Sequence, residues 1–491
     1  MRTGSAMTGH VRALLGCGFA AASVLAALAG TASPALARSA TVTPAGGGWS
    51  MAHALGMTGA LASSEGVSMV MSCGAAGYCT VAGTVTHTGR DVAREAAAFR
   101  ASETRGTWGR AEKITGFSAL RGRAPYPAAD SCPSAGSCLI GGRYFRDGRE
   151  LPWVAAEVHG RWHAAEELRG KTALNGTRGA WITSVSCPAA GDCLVGGSYT
   201  DGAGHQQAFV SSQADGTWGT PVELPGTGAL NAGGSASVSQ VACASPGNCA
   251  AVGTYSAAPP YRLAFVATEV NGAWRPAISV PGLAALHARD AQLAAVSCGS
   301  PGNCAAVGSF SEDMPLAVSE VHGTWENALA LQSPADGLPQ GQAETVACAR
   351  GGYCAAGGFY YTDQAGSTQA FIATAARGSW GQEKQLPGIA RLGTDAQTLS
   401  LSCSAPGDCA AGGFYRGPGP VHLQAFVAAE VNQAWGDAQE VPGTGRLNRN
   451  RTGAGQASVV SCPKPRHCAV AGMYTARRLL NPFWVFVDSQ R

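Results

Sequence analysis

Apolar and polar positions along this chain alternate in short runs set between turn residues, and the stretch from Ile182 to Leu224 shows one full cycle. Ile182-Thr-Ser-Val-Ser186 predicts a first strand, ended by Cys187, and Pro188-Ala-Ala-Gly-Asp192 predicts a tight polar turn. Leu194-Val-Gly-Gly-Ser-Tyr199 predicts a second strand behind Cys193, and a polar loop over residues 200–207 leads to a third, Ala208-Phe-Val-Ser-Ser212. Asp215-Gly216 is a two-residue hairpin signal, because both central positions of a type I′ turn need positive φ. Trp218 and Pro221-Val-Glu-Leu224 give a fourth strand, which Pro225-Gly226 ends. Four short antiparallel strands in one repeat make a propeller blade.

The cycle occurs eight times. Sixteen of the seventeen cysteines form pairs with the spacing Cys-x5-Cys, and the pairs recur every 50 to 59 residues. They are Cys73 and Cys79, Cys132 and Cys138, Cys187 and Cys193, Cys243 and Cys249, Cys298 and Cys304, Cys348 and Cys354, Cys403 and Cys409, and Cys462 and Cys468. A glycine stands four residues after every second cysteine, from Gly83 to Gly472, and close packing between neighbouring blades is its expected role. Two positions further on, seven of the eight repeats carry an aromatic, among them Tyr144, Tyr199 and Tyr360. A tryptophan precedes each first cysteine by 23 to 27 residues, which predicts blade packing. The first repeat opens on a tryptophan turn at Trp49, and the last stops after a third strand, Phe483-Trp-Val-Phe-Val487. The two ends are therefore expected to complete one blade between them and close the ring, which removes exposed sheet edges. The expected fold is all-β, a single eight-bladed β-propeller of four-stranded antiparallel blades.

Residues 1–37 read as an export signal: Arg2 and Arg12, an apolar stretch over residues 13–30, and the small-x-small site Ala35-Leu36-Ala37. Leu14-Leu15-Gly16-Cys17 approaches a lipoprotein box, but the apolar stretch mostly follows the cysteine. Residues 38–491 are then the propeller, a released or wall-associated protein with no membrane span. Losing the leader lowers the formal charge from +3 to +1, and the chain has only four lysines, so neither nucleic acid nor an anionic membrane is an expected partner. Charged residues make up 13% of the chain, about half the usual share, which suits packed sheet and many turns.

The run Cys193-Leu-Val-Gly-Gly-Ser-Tyr199, with Asp215-Gly-Thr-Trp218 and Pro221-Val-Glu-Leu-Pro225, resembles a kelch repeat, as found in secreted bacterial propellers. The diglycine is complete at Gly141-Gly142, Gly196-Gly197, Gly357-Gly358 and Gly412-Gly413, while the family's third-strand tyrosine is absent and the cysteine pairs are foreign to it. Residues 211–218 are similar, less closely, to the Asp-box hairpin of sialidase-type propellers, with Asp215 abutting Gly216 where that motif keeps them apart. Both resemblances imply a propeller, and neither implies an activity.

In an exported chain each cysteine pair is expected to form a disulfide across the first hairpin of its blade. Zinc is the rival reading, though zinc pairs sit closer together and need a second pair; a redox role would want Cys-x-x-Cys. No metal or cofactor is expected. Strand alternation puts cysteine turns and tryptophan turns on one face of the ring. The opposite face carries long, dissimilar loops, over residues 87–98, 146–151, 201–207, 259–262, 363–367 and 446–456. Binding residues are sought there: Arg143, Asp201, Tyr361 and Asp363, with aromatic rings for stacking and charged groups for orientation. Asp130 joins them because the same position is apolar in the other seven repeats, as at Val185; it is either exposed by a strand distortion at Tyr126-Pro127 or a functional acid facing the channel. The loop groups His87, His205, His287, His422, Asp290 and Asp395 form no recognisable catalytic set, and Arg143, Arg289 and Arg391 are not marked as the three converging arginines of a sialidase. The expected function is a secreted, monomeric binding propeller for a glycan, a peptide or a cell-envelope component. The alternatives are a carbohydrate-active hydrolase or lyase and a purely structural extracellular protein.

Overall fold

A computed structural model describes residues 48–57, 61, 66–86, 96–168, 179–258, 261–335, 337–417, 423–448, 453–475 and 483–490. Eight antiparallel sheets form the blades of one eight-bladed β-propeller. The predicted export signal lies outside the described residues. Blades are numbered here by their cysteine pairs, blade 1 holding Cys73 and Cys79.

In blade 3 the strands run Gly179–Ala189, Asp192–Thr200 and Gln206–Ala214, each longer than its alternating run. The fourth strand is broken into Thr217–Trp218 and Val222–Glu223, both paired with the third. The same break occurs in each of the first seven blades. At the break the residue just ahead of the second segment gives its N–H to the preceding blade in six of these seven blades, as Ala277 does to the Pro225 carbonyl and Ala328 to that of Pro281. In blade 3 that residue is Pro221, which has no N–H to give. The Asp215-Gly216 turn has φ of 47° and 78°, as a type I′ turn requires. His159-Gly160 and His322-Gly323 adopt the same turn without its sequence signature.

All eight disulfides form within their pairs, with Cα separations of 3.9 to 4.1 Å. Cys73 is bonded to Cys79, Cys132 to Cys138, Cys187 to Cys193 and Cys243 to Cys249. Around the rest of the ring Cys298 is bonded to Cys304, Cys348 to Cys354, Cys403 to Cys409 and Cys462 to Cys468. The ladder register explains this, since Cys243 sits directly opposite Cys249, Cys348 opposite Cys354 and Cys403 opposite Cys409. Bridges in such number belong to an extracellular or otherwise oxidising environment. The sixteen sulfurs are therefore not ligands, as the zinc reading of these pairs would have required, and none is left as a thiolate. Among the described residues no helix is long and apolar enough to cross a membrane.

The ring closes as the sequence predicts. His53 and Ala54 pair with Val487 and Phe486, and Trp49 bridges to Gln490, so the amino-terminal segment supplies the outer strand of blade 8. Gln490 also binds back to the last bridge of the ring, giving its N–H to the Cys468 carbonyl at 2.8 Å and accepting the Cys468 N–H on its side chain at 3.3 Å. A second closure, invisible in the strand pattern, runs along the inner strands. The serine just before a first cysteine accepts the N–H of the next blade's first cysteine: Ser72 from Cys132, Ser131 from Cys187, Ser186 from Cys243, Ser297 from Cys348 and Ser402 from Cys462. Ser461 of blade 8 accepts from Cys73 of blade 1 at 3.0 Å, which completes the circle. At two junctions Ala242 and Ala347 stand in the serine's place.

The repeated glycine does a different job from the one expected. A Cβ at Gly197 would strike the Trp181 carbonyl of the same blade and the ring of Phe209. Gly253 stands in the same relation to Ser237 and Phe265, and Gly413 to Gln397 and Phe426. The aromatic on the third strand lies over the glycine on the second, so this glycine shapes the interior of one blade. Contact with the neighbouring blade falls to the first member of the diglycine: a Cβ at Gly196 would meet Val238 and Val241, and at Gly412, Val460. The tryptophans do pack between blades. Trp162 donates to Ser102 of the preceding blade, Trp380 to Ser319 and Trp325 to Thr268.

Candidate functional site

Each blade's two hairpin turns stand side by side, with Gly106 donating to the Gly77 carbonyl, Gly216 to Gly191 and Gly272 to Gly247. The face that carries them is therefore the cysteine-turn face, and the loops between second and third strands lie on the other. Among the described residues, three of the blade-to-blade connections on that other face contain a single helical turn, Thr227–Leu230, Ile389–Leu392 and Thr444–Leu447, each entered through a glycine at φ 76° to 89°. The strand pattern alone predicts only loops there.

Arg143 lies on the second strand of blade 2, opposite Tyr126. Its guanidinium stands 5.5 Å from the Tyr126 ring centre and 3.3 Å from Glu150. It is 42% exposed, and Tyr126 in turn packs edge-on against Phe145 at 6.4 Å. Together with Ser68, Thr84, Thr86, Pro127 and Ala128, Arg143 and Tyr126 line an open cavity of about 450 Å³ between blades 1 and 2. Volumes of this order suit a small ligand. The chemistry on offer is a cation held over an aromatic ring, with hydroxyl groups on the facing wall.

Asp201 and Asp363 organise their own loops. Asp201 accepts the N–H of His205 at 2.9 Å and the amide of Gln207 at 3.1 Å, and these bonds, the Gln207 one foremost, hold its carboxyl below the usual range. Asp363 accepts the N–H groups of Ala365 and Ser367 and is lowered for the same reason, with the Ser367 bond the largest cause. Tyr361, on the same loop as Asp363, packs its ring at 5.6 Å and right angles to Phe359 and stays half-buried. The cavity of Arg143 holds none of these three. The strand-end aromatics are blade packing: Tyr199 is 6% exposed and donates to Glu223, and Tyr360 is fully buried.

Asp130 is not left exposed, the first of the two placements expected for it. The distortion at Pro127 exists, but the same register shift interrupts the inner strands of six other blades, as between Ile182 and Ser184. It therefore does not set this strand apart. The Asp130 side chain is half-buried with Oδ2 fully enclosed and without a hydrogen-bond partner. Burial pushes its carboxyl well above the usual range, against a bond from the Ser72 N–H of blade 1. It faces a blade junction.

Three of the remaining loop groups are engaged with near neighbours. Asp395 pairs with Arg416 at 2.7 Å, Arg391 with Asp437, and His205 lies 3.7 Å from Asp201. His87 and His422 lie outside the described residues. Among the described residues no three His, Cys, Asp or Glu side chains gather as a metal ion would require.

A second set of residues was not anticipated from the sequence. Glu103, Glu157, Glu269, Glu320 and Glu430 are all buried, at 2 to 9% exposure, on the third strands close to the cysteine turns. Glu157 sits opposite Cys138 and Trp162, and Glu320 opposite Cys304 and Trp325. In blade 6 an alanine, Ala375, takes that place opposite Cys354 and Trp380. The signal was present, since Glu-x4-Trp occurs in five of the repeats.

No protein-family model matches the chain, and no curated protein matches it in sequence. Among solved structures it is similar to a Hadza microbial sialidase at 11% identity over 68% of each chain, with a TM-score of 0.38. It is also similar to the β-propeller domain of the Trilobed protease from Pyrococcus furiosus, at 9% identity over 76% of this chain and 97% of that one, TM-score 0.42. An ulvan lyase of a polysaccharide lyase family shares 12% identity over 74% and 90% of the two chains, TM-score 0.38. These values are too low for an activity to pass from any of them to this chain.

Proposed function

We propose that this is an exported, kelch-like binding propeller whose variable-loop face holds a glycan or a peptide, and that it works as a monomer without a cofactor. The observation that carries the reading is the cavity of about 450 Å³ built around Arg143 and Tyr126. A tyrosine ring offers a flat surface to a sugar or a peptide side chain, and the guanidinium offers paired donors to a carboxylate or hydroxyl. Asp201, Tyr361 and Asp363 belong to the same face, and their loops, braced by their own hydrogen bonds, would extend the contact around the rim. Export through residues 1–37 accounts for the sixteen bridged cysteines.

The second reading, a carbohydrate-active enzyme, asks for two carboxylates flanking a scissile bond or for arginines converging with an acid. The described lining of the Arg143 cavity has one cation, and its carboxylate partner Glu150 is not part of that lining. Binding is the better-supported reading. A glycan array run on the mature protein and on Arg143→Ala, beside a panel of chromogenic glycosides, tests it. Retention of a glycan or glycopeptide, lost in Arg143→Ala while the melting temperature stays within a few degrees, supports the proposal. Turnover of a glycoside, or retention that Arg143→Ala leaves intact, overturns it.

A further inference from the structure

The cysteine-turn face holds clefts between its blades. One, of about 350 Å³, opens between blades 1 and 2 and is lined by Thr80, Ser102, Glu103, Ser134, Glu157 and His159. A larger one, of about 540 Å³, opens between blades 2 and 3; Glu157 and His159 line it too, with His163, Glu166, Gln213 and Asp215. A third, about 190 Å³, lies between blades 3 and 4 and contains Asp192 and Glu269. Disulfides form the walls: Cys138 lines both of the first two clefts, and Cys193 the second and third. Among the described residues none of the three is lined by a lysine or arginine.

Glu157 is the informative group. It is 9% exposed, accepts no hydrogen bond among the described residues, and faces two clefts at once. The cation nearest in influence, Arg100, is already committed to Glu112 at 2.8 Å and to the Trp162 ring at 5.0 Å. A carboxylate so enclosed and without a hydrogen bond is costly, and a cation entering the cleft would relieve that cost. Glu269 repeats the arrangement two blades on, 5% exposed and likewise without a hydrogen bond.

We propose that these clefts on the cysteine-turn face bind alkylammonium or guanidinium groups, as carried by a basic peptide, with Glu157 the central acceptor. Of the carboxylates lining the larger cleft Glu157 is buried, while Glu166 and Asp215 are exposed, so that a long, flexible cationic side chain can meet charge both at the surface and within. Because adjoining clefts share Glu157, neighbouring basic residues of one peptide bind side by side. This surface is separate from the Arg143 cavity and takes the opposite charge.

Calorimetric titration of the full mature protein with hexalysine tests the proposal, with spermine as a second arm. Hexalysine is expected to bind, and Glu157→Gln to weaken it by about tenfold or more, the range for a charge-assisted bond. Asp215→Asn, at an exposed turn, is expected to weaken it by about threefold and serves if Glu157→Gln does not fold. Glu312→Gln removes one negative charge from the opposite face and should change nothing. Equal affinity for spermine assigns the site to any spaced ammonium groups, and weaker spermine binding assigns it to peptide. Absence of hexalysine binding, or equal weakening by Glu312→Gln and the cleft variants, overturns the proposal.

Discussion

At the cysteine-turn end of the ring, blade after blade repeats one arrangement: a disulfide across the hairpin, a tryptophan turn bonded to the cysteine turn, and, at six of the eight junctions, a serine bond to the next blade. At the loop end each blade is held by its own device. Blade 2 stacks Arg146 on Tyr144 and ties both to Glu167, and blade 3 wraps a loop around Asp201. After blades 3 and 7, a buried asparagine, Asn231 or Asn448, clamps the connection to the third strand. The first end builds the ring, and the second varies upon it. Yet the uniform end also carries buried carboxylates that differ from blade to blade, Glu157 giving way to Gln213 and Ala375 at matching positions. Uniform backbone does not imply uniform chemistry.

The largest effect expected is the loss of the repeating frame itself. Deleting residues 483–491 removes the third strand of blade 8 and the partner of His53 and Ala54. The truncated chain should aggregate or lose its cooperative melt, and unchanged melting would show that neither end depends on closure.

Next comes the removal of one clip. Replacing Cys187 and Cys193 together by alanine should cost about 2 kcal/mol, the chain-entropy value for so short a loop, read by denaturant titration. A null effect would make the bridges irrelevant to the uniform end.

Glu383 sharpens the comparison along the blade junctions. It occupies a position that is alanine in most blades, such as Ala328 and Ala438, and burial pushes its carboxyl up to about 8. The folded protein therefore keeps a proton that the unfolded chain, titrating near 4.5, has released. Stability should decline as pH rises from about 5 to 8 and level off above that. Glu383→Gln should flatten this decline, leaving a smaller slope from Glu344, whose carboxyl burial raises to about 7. Melting curves across this range that run parallel to wild type would contradict the burial.

The smallest effects should separate the two faces. Asp192 joins the two turns of blade 3 through the Asp215 N–H at 3.3 Å, and Asp192→Ala should cost about 1 kcal/mol or less without touching ligand binding at the loop face. Asp363→Ala, which frees the loop over residues 363–367, should alter binding at that face while leaving the melt almost unchanged.

The frame was legible in the sequence because it repeats. Cysteine spacing gave the blades and bridges, and the fourth strand missing after Val487, with the orphan segment at Trp49, gave the closure. Single-blade chemistry was harder to read. The Tyr126 ring becomes a wall of the Arg143 cavity only when blades 1 and 2 meet, and nothing local marks Ser68 or Thr84 as its partners. Spacing fixes the strand of the repeated glycine and leaves its facing partner open, so the contact with the next blade falls one residue earlier than the spacing predicts. The Glu-x4-Trp pattern was available, but exposed charge is the ordinary reading of a glutamate near a turn, and only the assembled junction encloses it.

Hydrogen exchange of the full mature protein, with and without a glycan or glycopeptide retained on the array, tests the division between the two ends most directly. Protection should rise at residues 126–128 and 143–151, while the turns at 134–137 and 158–161 keep their free-state exchange. Protection confined to those turns, with the Arg143 region unchanged, would contradict the account.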